Sequence, residues 1–154
     1  MEIQLLVIII IMIACSAFFS ASETALTGAN RIRLKSMAEN GSKGAKMALK
    51  LLDRYDKVIT TILIGNNIVN ITASSLGTIL ATAIVGPDNA ALVSTVVLTL
   101  VILTFGEVMP KSLAKDHSEG MTVATSGIIT FLTFIFTPLS ALFILLKKLA
   151  NKLF

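Results

Sequence analysis

Apolar residues form long runs along the chain, and short polar or charged segments separate them. The longest runs reach about 20 residues or more, which is the length that an α-helix needs to cross roughly 30 Å of hydrocarbon. The pattern predicts helices at about 2–26, 58–85 and 89–109, and a further apolar helix at about 118–150. The sequence therefore indicates an all-α integral membrane protein embedded in a lipid bilayer.

The composition supports the membrane class. Of 154 residues, 55% are hydrophobic and 14% are charged, whereas about 25% of residues are charged in soluble domains. The first apolar run lacks a positively charged start and continues directly into FFSASETAL, so we expect a transmembrane helix rather than a cleaved signal peptide. Cys15 is the only cysteine, which excludes an internal disulfide and a thiolate metal cluster.

Lysine and arginine are distributed unevenly, and their positions predict the orientation. All thirteen fall within 31–57, 111–115 and 147–152, whereas the N-terminus and the turn at 86–89 contain none. Because positive charge collects on the cytoplasmic side, we expect a multi-pass protein of the plasma membrane with its N-terminus outside and segment 31–57 in the cytoplasm. Topology thus explains the net charge of +4, and we expect no nucleic-acid partner.

Two topologies are open for the apolar run at 121–146. Hydropathy alone predicts a fourth crossing. Lys147, Lys148 and Lys152 follow at once, however, and a crossing would place them outside. We favour three transmembrane helices followed by a C-terminal juxtamembrane belt helix along the inner leaflet, kinked at Pro138, with the C-terminus in the cytoplasm.

Segment 30–54 carries apolar residues at roughly helical spacing among basic ones, and Asn40-Gly41 interrupts it. This pattern predicts a pair of short cytoplasmic amphipathic helices at the membrane surface. A solvated basic loop that only sets the topology is the alternative interpretation.

Polar residues within the predicted helices are the candidate functional positions, because a polar group in hydrocarbon needs a partner. In the first helix, Ser16 and Ser20 are spaced i, i+4 and share one face. In the second helix, Asn66, Asn70 and Ser74 follow one another at the same spacing. Such a stripe serves either helix packing or ligand binding, and the residues alone favour neither.

The third helix ends in TFGEVMPKSLAK, a segment that predicts a cation site. Pro110 has no N–H, and its ring displaces the carbonyl of Gly106, four residues earlier. A freed carbonyl beside the Glu107 carboxylate suits a hard cation. The alternative is that Glu107 lies at the cytoplasmic interface and pairs with Lys111.

Together the three helices offer hydroxyl, amide, carbonyl and carboxylate oxygens. Such a set suits Mg²⁺, Ca²⁺ or Na⁺ and argues against zinc, copper and iron. The single carboxylate predicts binding weak enough to release the ion. We expect no enzyme, because the sequence contains no HExxH, GxSxG or P-loop motif and its one histidine, His117, lies in a polar segment.

Three motifs, FFSASETALTGANRIRLKSMA, LIGNNIVNI and FGEVMPKSLA, resemble the transmembrane domain of the CorC and cyclin-M (CNNM) family of magnesium transport proteins. The resemblance covers nearly the whole chain. It implies three transmembrane helices, a pair of short cytoplasmic helices and a belt helix, assembled as a homodimer. It also implies Mg²⁺ export coupled to Na⁺ entry.

The resemblance further implies an intramembrane Mg²⁺ site. Carried onto this chain, the metal ligands are expected to be Ser16, Ser20, Asn70, Ser74, the Gly106 carbonyl and Glu107. Pro110 and Pro138 are expected to have structural or gating roles. Family members usually continue into a pair of cytoplasmic CBS domains that bind adenine nucleotide, so we expect such domains after residue 154, in a longer protein.

Two other functions are open on these residues. A passive cation channel would use the same polar side chains without coupling, although no segment resembles a selectivity-filter loop. A non-transporting Mg²⁺ sensor would bind the ion at the same ligands and signal to the cytoplasmic domains.

Overall fold

The computed structural model describes residues 2–153, and every regular element in this range is a helix. Helices α1 to α4 span Glu2–Gly28, Arg31–Glu39, Lys43–Leu52 and Tyr55–Val85. Helix α5 (Pro87–Val101) continues into a π-helical turn (Ile102–Val108) and then into α6 (Met109–Asp116). Helices α7 and α8 span Ser118–Ile135 and Thr137–Leu153.

Four helical stretches are long and apolar enough to cross a membrane: Glu2–Gly28, Tyr55–Val85, Pro87–Asp116 and Ser118–Ile135. The third continues beyond residue 109, where the hydrophobic pattern had placed its end. The chain is therefore an all-helical, multi-pass membrane protein. Length and composition admit α7 both as a crossing helix and as a helix lying along one leaflet.

The apolar helix predicted at about 118–150 is divided in the structure. Helix α7 ends at Ile135 and α8 begins at Thr137, with Phe136 between them. Pro138 is the second residue of α8, where its missing N–H costs little because the first turn of a helix has no intrahelical acceptor. The division lies two residues before Pro138, in the stretch where a proline interrupts the preceding helix, so it agrees with the kink expected there.

The chain divides into two compact units. The described residues of the first unit are 2–21 and 65–113, and those of the second are 22–64 and 114–153. In the first unit, a Cβ on Gly65 would lie 2.4 Å from Phe19 Cζ, and one on Gly77 would lie 2.1 Å from Leu98 Cδ1. These two glycines let α1 and α5 approach α4 closely.

In the second unit, side chains cap the two short helices. Asn30 Oδ1 accepts hydrogen bonds from the backbone N–H groups of Ile32 and Arg33 at 2.9 and 3.3 Å, at the start of α2. Ser42 Oγ accepts one from the N–H of Ala45 at 3.1 Å, at the start of α3. Such caps satisfy N–H groups that the helix itself leaves unpaired. They explain why helices begin at these positions in segment 30–54.

Helix α3 packs on α7 within the second unit. Its buried side includes Ala45, Ala48 and Leu51, while its lysines are exposed. A Cβ on Gly44 would lie 2.7 Å from Val123 Cγ1 and 2.9 Å from the Val123 carbonyl oxygen. A glycine is therefore required where the two helices come closest.

We predict that Gly44→Ala destabilises the second unit by about 1–3 kcal/mol, because the added methyl group meets backbone that has little room to move. Thermal unfolding of the detergent-purified protein would show this as a lower midpoint. Gly120→Ala is the control, since nothing lies within 4 Å of a Cβ there. An unfolding midpoint for Gly44→Ala equal to that of Gly120→Ala would contradict the close packing.

Candidate metal centre

Ser16 brings three segments of the first unit together. Its Oγ lies 3.0 Å from Asn66 Oδ1 on α4 and 3.4 Å from the carbonyl oxygen of Gly106 in the π-helical turn. The Ser16 side chain is fully buried. A serine hydroxyl carries one hydrogen, so it can donate to only one of these oxygens at a time. The contact therefore has more oxygen acceptors than hydrogens, an imbalance that a cation would relieve.

The π-helical turn positions Gly106 for this contact. Pro110 has no N–H for the Gly106 carbonyl, and its ring would clash with that carbonyl in a regular α-helix. The helix widens instead, and the N–H of Met109 bonds to the carbonyl of Thr104, five residues earlier. A Cβ on Gly106 would lie 3.0 Å from Ser16 Oγ, so the close approach depends on glycine. Turns of this kind are rare and frequently occur at functional sites.

Asn70 and Glu107 form a second contact beside the first. Asn70 Nδ2 donates to Glu107 Oε1 at 3.4 Å, and both residues are half-buried. The other amide atom, Asn70 Oδ1, is buried and accepts no hydrogen bond from the described part of the chain. A buried acceptor without a donor is costly, so such an atom calls for a water molecule or an ion.

Ser20 supplies a second buried oxygen without a hydrogen-bond partner among the described residues. It lies one turn along α1 from Ser16, is fully buried, and has no hydrogen-bond partner for its Oγ among residues 2–153. The i, i+4 spacing had placed the two serines on one face of the helix. Two unpartnered buried oxygens thus accompany the Ser16 and Glu107 contacts in the first unit.

Ser74 lies in different surroundings from the other predicted ligands. It is exposed on α4 and lines a small cavity between α4 and α5. Asn66, by contrast, contacts Ser16 directly, although the ligand set implied by the family resemblance omitted it. The stripe at i, i+4 spacing contained the signal for Asn66, because it joins that residue to Asn70.

The candidate metal ligands are neutral oxygens and one carboxylate. No group of three or more His, Cys, Asp or Glu side chains that could hold a metal occurs in the described part of the chain. Hydroxyl, amide, carbonyl and carboxylate oxygens suit Mg²⁺, which prefers six oxygens and gives up its water reluctantly. The geometry is compatible with such an ion near Ser16, Gly106 and Glu107, and the ligand set stays a prediction.

The chain matches a family model described as the cyclin M transmembrane N-terminal domain over residues 7–154. This match confirms the resemblance drawn from the three motifs. It covers most of the chain, including every residue of the cluster around Ser16 and Glu107.

Curated relatives carry the same segment within longer proteins. The chain is 44% identical to a UPF0053 protein of Haemophilus influenzae over 135 residues, which are 88% of this chain and 32% of that protein. It is also 44% identical to the UPF0053 inner membrane protein YfjD of Escherichia coli over 124 residues, 80% of this chain and 29% of that protein. The chain thus spans about a third of the length of these relatives. A more distant relative, named polyamine export protein, comes from Haemophilus influenzae and is 25% identical over 158 residues, 95% of this chain and 37% of that protein.

We predict that Pro110→Ala weakens Mg²⁺ binding about tenfold, or about 1.4 kcal/mol, because the new N–H can bond to the Gly106 carbonyl and close the π-helical turn. Titration calorimetry on the detergent-purified protein measures the change. Pro87→Ala is the matched control, since Pro87 is the first residue of α5, where proline leaves no carbonyl without its donor. Equal affinities of the two variants would contradict a role for the freed carbonyl.

Proposed function

This chain belongs to the family of cyclin M transmembrane N-terminal domains, and from that premise we propose that it moves Mg²⁺ across the membrane. The observation that carries the proposal is the cluster around Ser16, in which one buried hydroxyl faces the oxygens of both Asn66 and Gly106. The Asn70 and Glu107 contact adds the carboxylate. The family is associated with divalent-cation transport.

The proposed ligands come from three different elements. Ser16 and Ser20 lie on α1, Asn70 and Ser74 lie on α4, and the Gly106 carbonyl and Glu107 carboxylate lie in the π-helical turn. A site assembled from three elements loses its six-oxygen shell when one of them moves, which releases a tightly hydrated ion such as Mg²⁺. Relative movement of these elements would open the site to each side of the membrane in turn.

We further propose that export of Mg²⁺ is coupled to entry of Na⁺. The cluster has one carboxylate and several neutral oxygens, a set that a monovalent hard cation can also occupy. Na⁺ would take overlapping oxygens in the state that has released Mg²⁺. A single negative charge keeps either ion weakly enough bound to leave.

The arrangement in the cell is also part of the proposal. Three crossings and a belt helix formed by α7 and α8 place the N-terminus outside and the C-terminal lysines in the cytoplasm of the plasma membrane. The pair α2 and α3 lies at the cytoplasmic surface. The working unit is a homodimer, and its CBS-pair domains belong to the remainder of the full-length chain.

The first test is Mg²⁺ binding measured by calorimetry on the wild type, Glu107→Gln and Asn70→Ala. Removing the one carboxylate or the unpartnered amide oxygen should weaken binding at least about tenfold, which corresponds to about 1.4 kcal/mol. Asp88→Asn removes an exposed carboxylate in the first turn of α5 and should bind like the wild type. Unchanged binding in well-folded Glu107→Gln and Asn70→Ala would contradict the site.

Flux in sealed vesicles containing the full-length protein separates transport from its alternatives. We expect Mg²⁺ movement that requires an opposing Na⁺ gradient and is lost in Glu107→Gln. Flux without coupling would indicate a channel, and binding without flux would indicate a sensor. Movement of spermidine in place of Mg²⁺ would indicate the activity named for the Haemophilus influenzae polyamine export protein.

We predict that residue 152 lies on the same side of the membrane as residue 40 and opposite to residue 89. Asn40→Cys, Asn89→Cys and Lys152→Cys in a Cys15→Ala background can be labelled with an impermeant maleimide in intact cells. Only Asn89→Cys should react before the cells are permeabilised. Labelling of Lys152→Cys from outside would instead establish that α7 and α8 cross the membrane.

A further inference from the structure

The polar stripe of α4 continues past the metal cluster. Asn70, Ser74, Thr78 and Thr82 follow one another at i, i+4 steps, which keep them on one face for about 18 Å toward Val85. Hydroxyl groups at membrane depth need protein or water as partners. Thr78 and Thr82 donate to carbonyls of their own helix at 3.1 and 2.8 Å, and their hydroxyl oxygens can still accept hydrogen bonds.

A cavity of about 100 Å³ lies between α4 and α5 beside this outer part. Its lining consists of Ser74, Thr78, Ser94, Thr95, Leu98 and Thr99. Five of these six residues carry a hydroxyl, and Thr78 Oγ1 lies 3.0 Å from Ser94 Oγ. This volume exceeds what one water molecule requires, so the cavity can hold water.

Three of the five lining hydroxyls are directed to backbone carbonyls. Thr78 Oγ1 donates to the Ser74 carbonyl at 3.1 Å, and Thr95 Oγ1 donates to the Ala91 carbonyl at 2.7 Å. Ser94 Oγ also lies 3.2 Å from the Ala91 carbonyl. A hydroxyl whose hydrogen is engaged still accepts through its lone pairs. The cavity therefore offers uncharged oxygen acceptors, a lining suited to water and to a hydrated cation.

A neighbouring cavity has the opposite character. It measures about 300 Å³ and is lined by apolar side chains of α1, α4 and α5, with Ser94 as the one hydroxyl-bearing residue of its lining. Leu98 lines both cavities and packs on Gly77, where a Cβ would lie 2.1 Å from its Cδ1. The lining of the larger cavity offers water almost no hydrogen-bond partners, so Leu98 lies between a hydroxyl-lined cavity and an apolar one.

We propose that the hydroxyl-lined cavity is a hydrated vestibule through which Mg²⁺ passes between the metal cluster and the outer side of the membrane. Ser74 lines the cavity and lies one turn from Asn70, so it stands at the junction of the two. Mg²⁺ leaves a protein site only where other oxygens replace its ligands, and neutral acceptors with water supply them without trapping the ion. This inference rests on the proposed function of Mg²⁺ transport.

Thiol labelling tests whether the vestibule contains water. Thr78→Cys and Thr95→Cys, in the full-length protein with Cys15→Ala, are treated in sealed vesicles with the small cationic reagent 2-aminoethyl methanethiosulfonate. Because the cysteine thiolate, which forms where water reaches the side chain, attacks the reagent's sulfur, both should react at least about tenfold faster than Ile79→Cys. Ile79 is the matched control, because it is exposed on α4 next to Thr78 and is absent from the cavity lining.

Mg²⁺ flux tests whether the vestibule is on the ion path. Thr78→Val and Thr95→Val keep the side-chain shape and remove the hydroxyl, and each should slow flux about tenfold through lost oxygen contacts while leaving the Mg²⁺ dissociation constant within about twofold. Thr72→Val is the control, since Thr72 also bonds to its own helix, at the Ile68 carbonyl, away from the cavity.

The labelling and flux measurements distinguish failure of the vestibule proposal from failure of the proposed Mg²⁺ transport. Labelling of Thr78→Cys and Thr95→Cys at the rate of Ile79→Cys would overturn the vestibule even if the wild type transports Mg²⁺. Mg²⁺ flux at the wild-type rate in both Thr78→Val and Thr95→Val would also overturn the vestibule. If the wild type moves no Mg²⁺, the proposed function fails, and the labelling rates alone decide whether a hydrated cavity exists.

Discussion

Lipid hydrocarbon offers neither hydrogen-bond donors nor acceptors, so each polar group within it must be satisfied by the protein, by water or by an ion. The constraint is most severe at Ser16, whose single hydrogen faces the oxygens of Asn66 and Gly106. Asn70 Oδ1 and Ser20 Oγ add buried acceptors with no donor in the described chain. A membrane protein keeps such a surplus of oxygens where water or a cation supplies the missing partners.

Small residues and a proline allow these oxygens to meet. Gly106 has no side chain, so Ser16 Oγ can lie 3.4 Å from the Gly106 carbonyl oxygen. Pro110 has no N–H, so this carbonyl lacks the donor that it would have in a regular α-helix. The cost is an irregular backbone, which membrane helices tolerate where the freed groups face protein or a water-filled space. Leu98 packs on Gly77 and lies between the apolar cavity and the hydroxyl-lined one.

Local rules predicted the helices and part of the cluster. The length of the hydrophobic runs predicted an all-helical protein. The missing N–H of Pro110 predicted a free carbonyl at Gly106, and in the structure this carbonyl contacts Ser16 Oγ. The contact between Asn66 and Ser16 could not be predicted from the polar stripe, because it depends on where α1 approaches α4. The π-helical turn was not predicted, because the rule for proline says that the Gly106 carbonyl is displaced but not how the backbone adjusts. The division at Phe136 lies two residues before Pro138, where a kink was expected.

A divalent cation is proposed to bind among the oxygens of α1, α4 and the π-helical turn. Mn²⁺ accepts the same oxygen ligands as Mg²⁺ and scatters X-rays anomalously, so its position can be measured directly in crystals of the protein. We expect an anomalous peak within about 2.5 Å of a Glu107 carboxylate oxygen, as direct coordination requires. Mn²⁺ found only at exposed carboxylates such as Asp53, with none at Glu107, would contradict it.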